Sequence, residues 1–313
     1  MKELEKSNND NKHITKLSRI FVLFWRLIQN KDSKKEPIYP KGLVQVNDKQ
    51  YIDDETWQHR LDIYYPENHS DKKLLPVIID IHGGGWMYGD KEINKNYCLH
   101  LAKCGYVVFN LNYRLFPQAA MNDQLADVAN ALMWIRDYLD EFPCDKDNIY
   151  ITGDSAGGQL CAFISVLSTS KELRKIFEVV DFDIKFNAVA LISPVGFMDE
   201  KLPMSIYTKR CLGVSYKSST WSDYVNFDKL LTLGTMPPTF LVTCSGDLLI
   251  RRQVIKIARI LEKKGIEHQL MDWCKCGNKS LKHVFSIIDP ESEESIKTIN
   301  GMCDFFKRYE KCS

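Results

Sequence analysis

The fold of this chain is decided by the sequence N-I-Y-I-T-G-D-S-A-G-G at residues 148–158. Its first five residues predict a short buried strand, and the residues from Ala156 onward predict a helix. Ser155 therefore stands on the turn between them, with Gly153 and Gly157 two positions away on either side. Such a sharp turn strains the serine backbone and leaves no room for larger neighbouring side chains. The pattern predicts a raised nucleophile, followed by an amide at a helix N-terminus that can bind an anion.

Strand-like and helix-like stretches alternate along the rest of the chain. The predicted strands are residues 61–65, 76–81, 106–111, 148–152, 188–192, 240–244 and 267–271, and the main predicted helices are residues 121–139, 156–167, 250–264 and 291–309. Continuous apolar strands separated by helices indicate a mainly parallel sheet with helices on both faces. We expect one α/β domain over residues 42–313, in which the polar interval 197–236 is inserted as a cap.

The first 41 residues carry ten Lys or Arg against five Asp or Glu. Apolar side chains at positions 14, 17, 20, 21, 24, 27 and 28 recur at three- and four-residue steps, which predicts an amphipathic helix. Its longest apolar run, residues 20–25, is too short to span a bilayer or to form the core of a signal peptide. We expect this helix to pack across the main domain, with peripheral contact to an anionic membrane as the alternative.

Composition excludes several classes of protein. Forty-two basic and forty-one acidic residues give a formal charge of +1, so there is no basic excess to bind nucleic acid. The ten cysteines are irregularly spaced and indicate free thiols, which together with the missing signal sequence predict a cytoplasmic protein. Cys274, Cys276 and His283 lack the fourth ligand of a structural zinc site, so no metal is predicted.

A second motif, H-G-G-G-W at residues 82–86, follows the predicted strand 76–81. Consecutive glycines lose much backbone entropy on folding, and a loop whose amides must closely approach a ligand justifies that cost. We predict that the amides of Gly84 and Gly85 join that of Ala156 in an oxyanion hole, with Gly83 ranked below them. A flexible turn is the alternative interpretation.

The general base is expected downstream of the serine, where the sequence offers His268 and His283. His268 lies inside a predicted strand, whereas His283 lies in a polar loop after it, so His283 is the predicted base. His82 precedes the serine and is interpreted as a structural hydrogen-bonding residue. Asp247 follows the strand 240–244 and is the predicted acid that orients the imidazole, with Asp272 as the runner-up.

These motifs resemble the α/β-hydrolase fold, and within it the carboxylesterases related to hormone-sensitive lipase. The resemblance runs from about residue 60 to the C-terminus and includes N-Y-R-L at 112–115 and M-P-P at 236–238. It implies a triad of Ser155, Asp247 and His283, a glycine-rich oxyanion hole, and a cap to which the N-terminal helix contributes. The chain departs from the family at residues 248–251, which read L-L-I-R instead of Pro-Leu and an acidic residue, and in the short Lys-rich loop before His283.

The sequence thus predicts a serine carboxylesterase that acts on short- to medium-chain acyl esters through an acyl-enzyme and needs no cofactor. Its expected partner is a small ester, with Trp86 and Tyr88 as candidate pocket residues. An amidase or formamidase with the same triad, a non-catalytic binding module and a membrane-surface lipase are the alternatives. The oligomeric state is left open.

Overall fold

The computed structural model describes residues 38–69, 74–198, 212, 216–248, 250–273 and 281–311. Within these residues, eight strands form one sheet: β1 (Leu43–Gln50), β2 (Arg60–Pro66), β3 (Leu75–Ile81), β4 (Val107–Leu111), β5 (Cys144–Asp154), β6 (Ala188–Ile192), β7 (Thr239–Cys244) and β8 (His268–Trp273). The α-helices are α1 (Lys91–Lys103), α2 (Met121–Tyr138), α3 (Ser155–Leu167), α4 (Lys171–Ile176), α5 (Phe227–Leu230), α6 (Arg251–Lys263), α7 (Phe285–Ile288) and α8 (Glu293–Lys307).

The strands are ordered β1-β2-β4-β3-β5-β6-β7-β8 across the sheet. β2 pairs antiparallel with both β1 and β4, and each pairing from β4 to β8 is parallel. β4, β6 and β7 are buried along their whole length, as expected of parallel strands covered on both faces. The predicted mainly parallel sheet is confirmed.

Side chains alternate between the two faces of the sheet and build an apolar core on each. β3 directs Val77, Ile79 and Ile81 into one core and Ile78 into the other. Helices α2, α3 and α6 cover the first core, and α1 and α8 cover the second. Because β3, β5, β7 and β8 run parallel, the loops after them lie at one edge of the sheet, where ligands of such folds bind.

The sequence patterns do not predict β1 or α1. β1 is an edge strand with mostly exposed or half-buried residues, so it lacks an apolar signal. In α1 the buried face begins with Lys91 and Asn94 before it continues with apolar residues. Lys91 Nζ lies 2.9 Å from the buried carboxylate of Asp62 on β2, which satisfies its charge. The buried face of this helix includes polar residues, which are buried because they have tertiary partners. The sequence of the helix therefore shows no clear amphipathic pattern.

The described part of the predicted cap lies between β6 and β7. Residues 216–218 and 222–224 each form one 3-10 turn and precede α5. Trp221 stacks on Phe177 with ring centroids 6.0 Å apart, and Thr220 Oγ1 donates to the carbonyl oxygen of Ile176 at 2.8 Å. This part of the interval therefore packs beside α4. Residues 199–211 and 213–215 lie outside the described residues, so the full extent of the cap stays a prediction.

The predicted N-terminal helix at residues 14–28 also lies outside the described residues. Among the helices that are described, none has the length and apolar character needed to cross a bilayer.

Candidate active site

The sharp turn between β5 and α3 places Ser155 at the edge of the sheet. The backbone of Ser155 has φ +51°, a left-handed conformation that is strained for a residue with a Cβ. A Cβ on Gly157 would collide with the carbonyl oxygens of Ile81 and His82, and one on Gly153 would lie 2.6 Å from the Gly157 carbonyl oxygen. Gly157 therefore allows the turn to pack directly against the end of β3, and Gly153 allows the end of β5 to pack closely against the start of α3.

One hydrogen-bonded chain connects the three predicted triad side chains. His283 Nε2 lies 2.9 Å from Ser155 Oγ, and His283 Nδ1 lies 2.7 Å from Asp247 Oδ2. The His283 side chain is 20% exposed and that of Asp247 1% exposed, so the acid is shielded while the imidazole faces the surface. The structure thus brings together residues that are 128 positions apart in sequence.

The residues on both sides of His283 are held in place, those before it by a hydrogen bond to Cys244 and the one after it by its position at the start of α7. The Cys244 thiol, at the end of β7, lies 3.2 Å from the carbonyl oxygens of both Leu281 and Lys282. On the other side, Val284 adopts φ +49° and caps α7. No sequence signal indicates the contribution of Cys244, because an apolar strand with a terminal cysteine is also typical of an ordinary core.

Asp247 sits in a turn that begins at the end of β7. Its Oδ1 accepts a hydrogen bond from the Ile250 amide at 3.0 Å, and the Ser193 side chain is a further hydrogen-bond partner. Burial acts to raise the pKa of Asp247, but the hydrogen bond and charge of His283 and the Ile250 amide outweigh it and hold the pKa below its ordinary value. The carboxylate is therefore ionised at neutral pH and can orient the imidazole.

The runner-up acid, Asp272, has a different partner. Arg251 binds it through Nε at 3.0 Å and Nη2 at 2.6 Å, a two-pronged ion pair between α6 and β8. Arg251 is the last residue of the segment 248–251, in which the sequence differs from the pattern of the carboxylesterases that it resembles. This difference therefore provides the partner of Asp272. Leu248, beside Asp247, is 90% exposed. The structure brings Asp247, and not Asp272, to the imidazole.

The glycine-rich loop, residues 82–90, lies next to the serine turn; we call it the oxyanion loop. Gly84 and Gly85 have φ +116° and +59°, and a Cβ on Gly84 would collide with the Tyr88 carbonyl oxygen. The Gly83 amide donates to Asp154 Oδ1 at 2.8 Å, so it is already engaged in a hydrogen bond. The Ala156 amide lies in the first turn of α3, where no intrahelical carbonyl accepts it.

His82 is a buried structural residue. Its Nδ1 lies 2.7 Å from the Gly83 carbonyl oxygen, and its ring stacks on Tyr113 with centroids 4.5 Å apart. The Tyr113 hydroxyl donates to the His82 carbonyl oxygen at 2.8 Å. Burial lowers the pKa of His82 to about 4, so the ring is neutral and supports the oxyanion loop from below.

The two candidate pocket residues differ in exposure. Trp86 is 1% exposed and belongs to the core on the α2 side, where its carbonyl oxygen accepts hydrogen bonds from Gln124 and from the Phe116 amide. Its indole is therefore part of the packing beneath the oxyanion loop and does not reach an open surface. Tyr88 is half-buried on the same loop. His268 lies in β8, as predicted.

No group of three or more His, Cys, Asp or Glu side chains suited to a metal occurs among the described residues. Cys274 and Cys276 lie outside them. Six cysteines within the described residues are free, at positions 98, 104, 144, 161, 244 and 303.

Comparison with protein families gives a match between residues 61–207 and the BD-FAE family model. The chain is 32% identical over 117 residues to the isoprenylcysteine alpha-carbonyl methylesterase ICME of Arabidopsis thaliana. The matched segment covers 37% of this chain and 27% of that protein. It is 30% identical over 179 residues to arylacetamide deacetylase of Oryctolagus cuniculus, covering 54% of this chain and 42% of the relative. The matched segments thus span less than half of the length of either curated relative.

Solved structures give a likeness over nearly the whole chain. Esterase B from Lactobacillus rhamnosis HN001 superimposes with a TM-score of 0.88 and 28% sequence identity, covering 96% of both chains. The same esterase has been solved inhibited by a C4-C4 SN3 tributyrin phosphonate, and that structure superimposes with a TM-score of 0.87.

Proposed function

We propose that this chain, which has the α/β-hydrolase fold and resembles carboxylesterases in sequence and structure, is a serine carboxylesterase that hydrolyses short- to medium-chain acyl esters. The observation that carries the proposal is the continuous hydrogen-bonded chain from Asp247 through His283 to Ser155. The catalytic domain comprises residues 42–313, with a cap inserted at about 197–236.

Acylation begins with attack of Ser155 Oγ on the carbonyl carbon of the ester. His283 Nε2 takes the hydroxyl proton, and the ionised Asp247 holds the imidazole and stabilises the imidazolium that forms. The negative oxygen of the tetrahedral intermediate is bound by the amides of Gly84, Gly85 and Ala156. His283 then protonates the leaving alcohol, which departs and leaves the acyl group on the serine.

Deacylation repeats these steps with water. His283 Nε2 removes a proton from a water molecule that attacks the acyl carbon, the same amides stabilise the oxyanion, and the proton returns to Ser155 Oγ as the carboxylic acid leaves. Every proton transfer uses the Nε2 atom, which already lies 2.9 Å from the serine oxygen.

The acyl-chain preference is supported by the likeness to esterase B, whose inhibitor carries four-carbon acyl chains. An amide-hydrolysing activity is the second candidate, because one curated relative is named a deacetylase of arylacetamides. Both reactions use the same acyl-enzyme, and they differ in whether the leaving group is an alcohol or an amine.

Hydrolysis of p-nitrophenyl esters from acetate to palmitate, with matched p-nitroanilides, tests the proposal. We expect turnover that peaks on short to medium esters, exceeds turnover of the anilides and disappears in Ser155→Ala. A peak on palmitate would contradict the chain-length assignment, and faster anilide turnover would favour the amidase. Full ester turnover by Ser155→Ala would contradict the nucleophile.

A further inference from the structure

Two buried carboxyl groups that take no part in the proposed mechanism lie beneath the oxyanion loop. Asp80 is on β3, two residues before the loop, and is 0% exposed, and Asp154 is the last residue of β5 and is 4% exposed. Asn94, in the first turn of α1, is also 0% exposed and lies between them. Its Nδ2 is 2.8 Å from Asp80 Oδ2 and 2.9 Å from Asp154 Oδ1.

This arrangement fixes the orientation of the Asn94 amide. The side-chain nitrogen faces both acids, and each of its two hydrogens is used once. The opposite orientation would place the amide oxygen against the carboxylate of Asp154, which can only accept. Asn94 is therefore a double donor, and its hydrogen bonds join β3, α1 and the end of β5.

The network has a direct geometric relation to the oxyanion loop. In sequence, Asp80 comes just before the oxyanion loop and α1 comes directly after it. The hydrogen bond from Asn94 to Asp80 therefore connects the two ends of the loop. Asp154, which accepts from the Gly83 amide at 2.8 Å, immediately precedes Ser155. The loop that carries the oxyanion amides is thus tied to the residue before the nucleophile in two ways, directly by the Gly83 amide and through the Asn94 side chain.

The burial of Asp80 and Asp154 side by side also limits how many negative charges the pair can carry. No ion pair among the described residues involves Asp80 or Asp154, so two negative charges here would face each other in a buried space without a cation. Burial raises the pKa of both carboxyl groups, and for Asp80 burial and the nearby Asp154 raise it to about 8. Asp154 accepts from Asn94, from the Gly83 amide and from its own backbone amide, whereas Asp80 accepts one N–H, from Asn94, and the weakly donating Cys98 thiol.

We propose that Asn94 is a positioning residue that sets the oxyanion loop against the nucleophile, and that the two carboxyl groups it bridges share one proton, held on Asp80. This inference rests on the proposed function for its kinetic consequence only. The remaining negative charge stays on Asp154, which accepts hydrogen bonds from Asn94 and from the Gly83 amide.

The kinetic test uses Asn94→Ala and Asn94→Asp with a short p-nitrophenyl ester. We expect each to lower kcat about tenfold to a hundredfold while KM changes less than about twofold, because direct loss of an oxyanion donor costs roughly 10²–10³ in kcat. Asn94→Asp retains the volume of the side chain but not both donors, so it separates hydrogen bonding from packing. Asn96→Ala is the matched control, since Asn96 lies on the same helix and binds Glu291 instead.

The shared proton is tested separately with Asp80→Asn, which mimics the neutral acid. We expect a kcat within about twofold of wild type, since the asparagine oxygen still accepts from Asn94. Infrared spectra of the substrate-free protein at neutral pH should show the carbonyl stretch of a protonated carboxyl in wild type and lose it in Asp80→Asn. Absence of that band in wild type, or a kcat for Asp80→Asn as low as that of Asn94→Ala, would overturn the shared proton.

Hydrogen exchange of the peptide that contains the oxyanion loop completes the test and does not depend on activity. We expect faster exchange of the Gly83 amide in both Asn94 variants than in Asn96→Ala. Unchanged exchange, or a kcat of the Asn94 variants equal to that of the control, would overturn the positioning role. If wild type hydrolyses no ester, the proposed function fails, while the infrared and exchange results still decide this inference.

Discussion

Replacing Asp247 with asparagine tests how the triad is oriented. Asp247 uses both oxygens as acceptors: Oδ1 accepts from the Ile250 amide at 3.0 Å, and Oδ2 lies 2.7 Å from His283 Nδ1. Asparagine offers only one oxygen. The Ile250 amide is a fixed donor in the backbone, so it retains that oxygen, and the asparagine NH2 group turns toward His283.

The imidazole must then accept at Nδ1, which moves its proton to Nε2. A protonated Nε2 points at Ser155 Oγ and cannot take the hydroxyl proton. We expect kcat to fall by roughly 10³–10⁴, or about 4–5.5 kcal/mol of barrier, because the wrong tautomer dominates. KM should change little, since Asp247 is 1% exposed and does not face the substrate.

The assay is steady-state hydrolysis of p-nitrophenyl butyrate by Asp247→Asn, with Asp272→Asn as the matched control. Asp272 is paired with Arg251 and not with the imidazole, so its substitution should leave kcat close to the wild-type value. Equal losses in the two variants, or a loss below tenfold in Asp247→Asn, would refute the assignment of the orienting acid.

Three further outcomes follow from the structure. Gly84→Ala should lower kcat by roughly 10² or more, because its Cβ would collide with the Tyr88 carbonyl oxygen and displace the loop amides; near-normal turnover would contradict this. Lys91→Met should lower the free energy of unfolding by about 3–5 kcal/mol in urea titrations, because it leaves the carboxylate of Asp62 buried without its cation, and a loss under 1 kcal/mol would count against it. Asp80→Asn should raise the melting temperature at pH 8 more than at pH 4. The folded-state pKa of Asp80 is raised from 3.8 to about 8, so folding becomes less favourable as pH rises between these values, by up to roughly 5 kcal/mol; a gain that is independent of pH would contradict the raised pKa.

The parts of the site that the sequence reveals are those with strict local backbone requirements. The serine turn needs glycine at positions 153 and 157 because carbonyl groups occupy the space where side chains would stand. The oxyanion loop needs glycine where φ is positive, at Gly84 and Gly85. Such requirements leave a readable pattern, and the parallel strands on either side leave continuous apolar runs.

The parts that the sequence leaves ambiguous depend on tertiary partners. Asp247 and Asp272 both lie near the ends of strands, and their tertiary partners separate them: His283 for Asp247 and Arg251 for Asp272. Asn94 has the appearance of a surface residue in a polar helix, yet it is buried and bound to carboxyl groups on the neighbouring strands β3 and β5. No periodicity encodes partners of this kind, because they are set by how α1 packs on the sheet.

The most direct test of the esterase assignment is to trap the acyl-enzyme. Wild type and Ser155→Ala are mixed with p-nitrophenyl butyrate, quenched in acid within the first turnover and digested for mass spectrometry. We predict a butyryl group on the peptide that contains Ser155 in wild type, and no acylated peptide in the variant. Acylation of a different residue, or steady turnover without any acylated peptide, would contradict a mechanism in which Ser155 is the nucleophile.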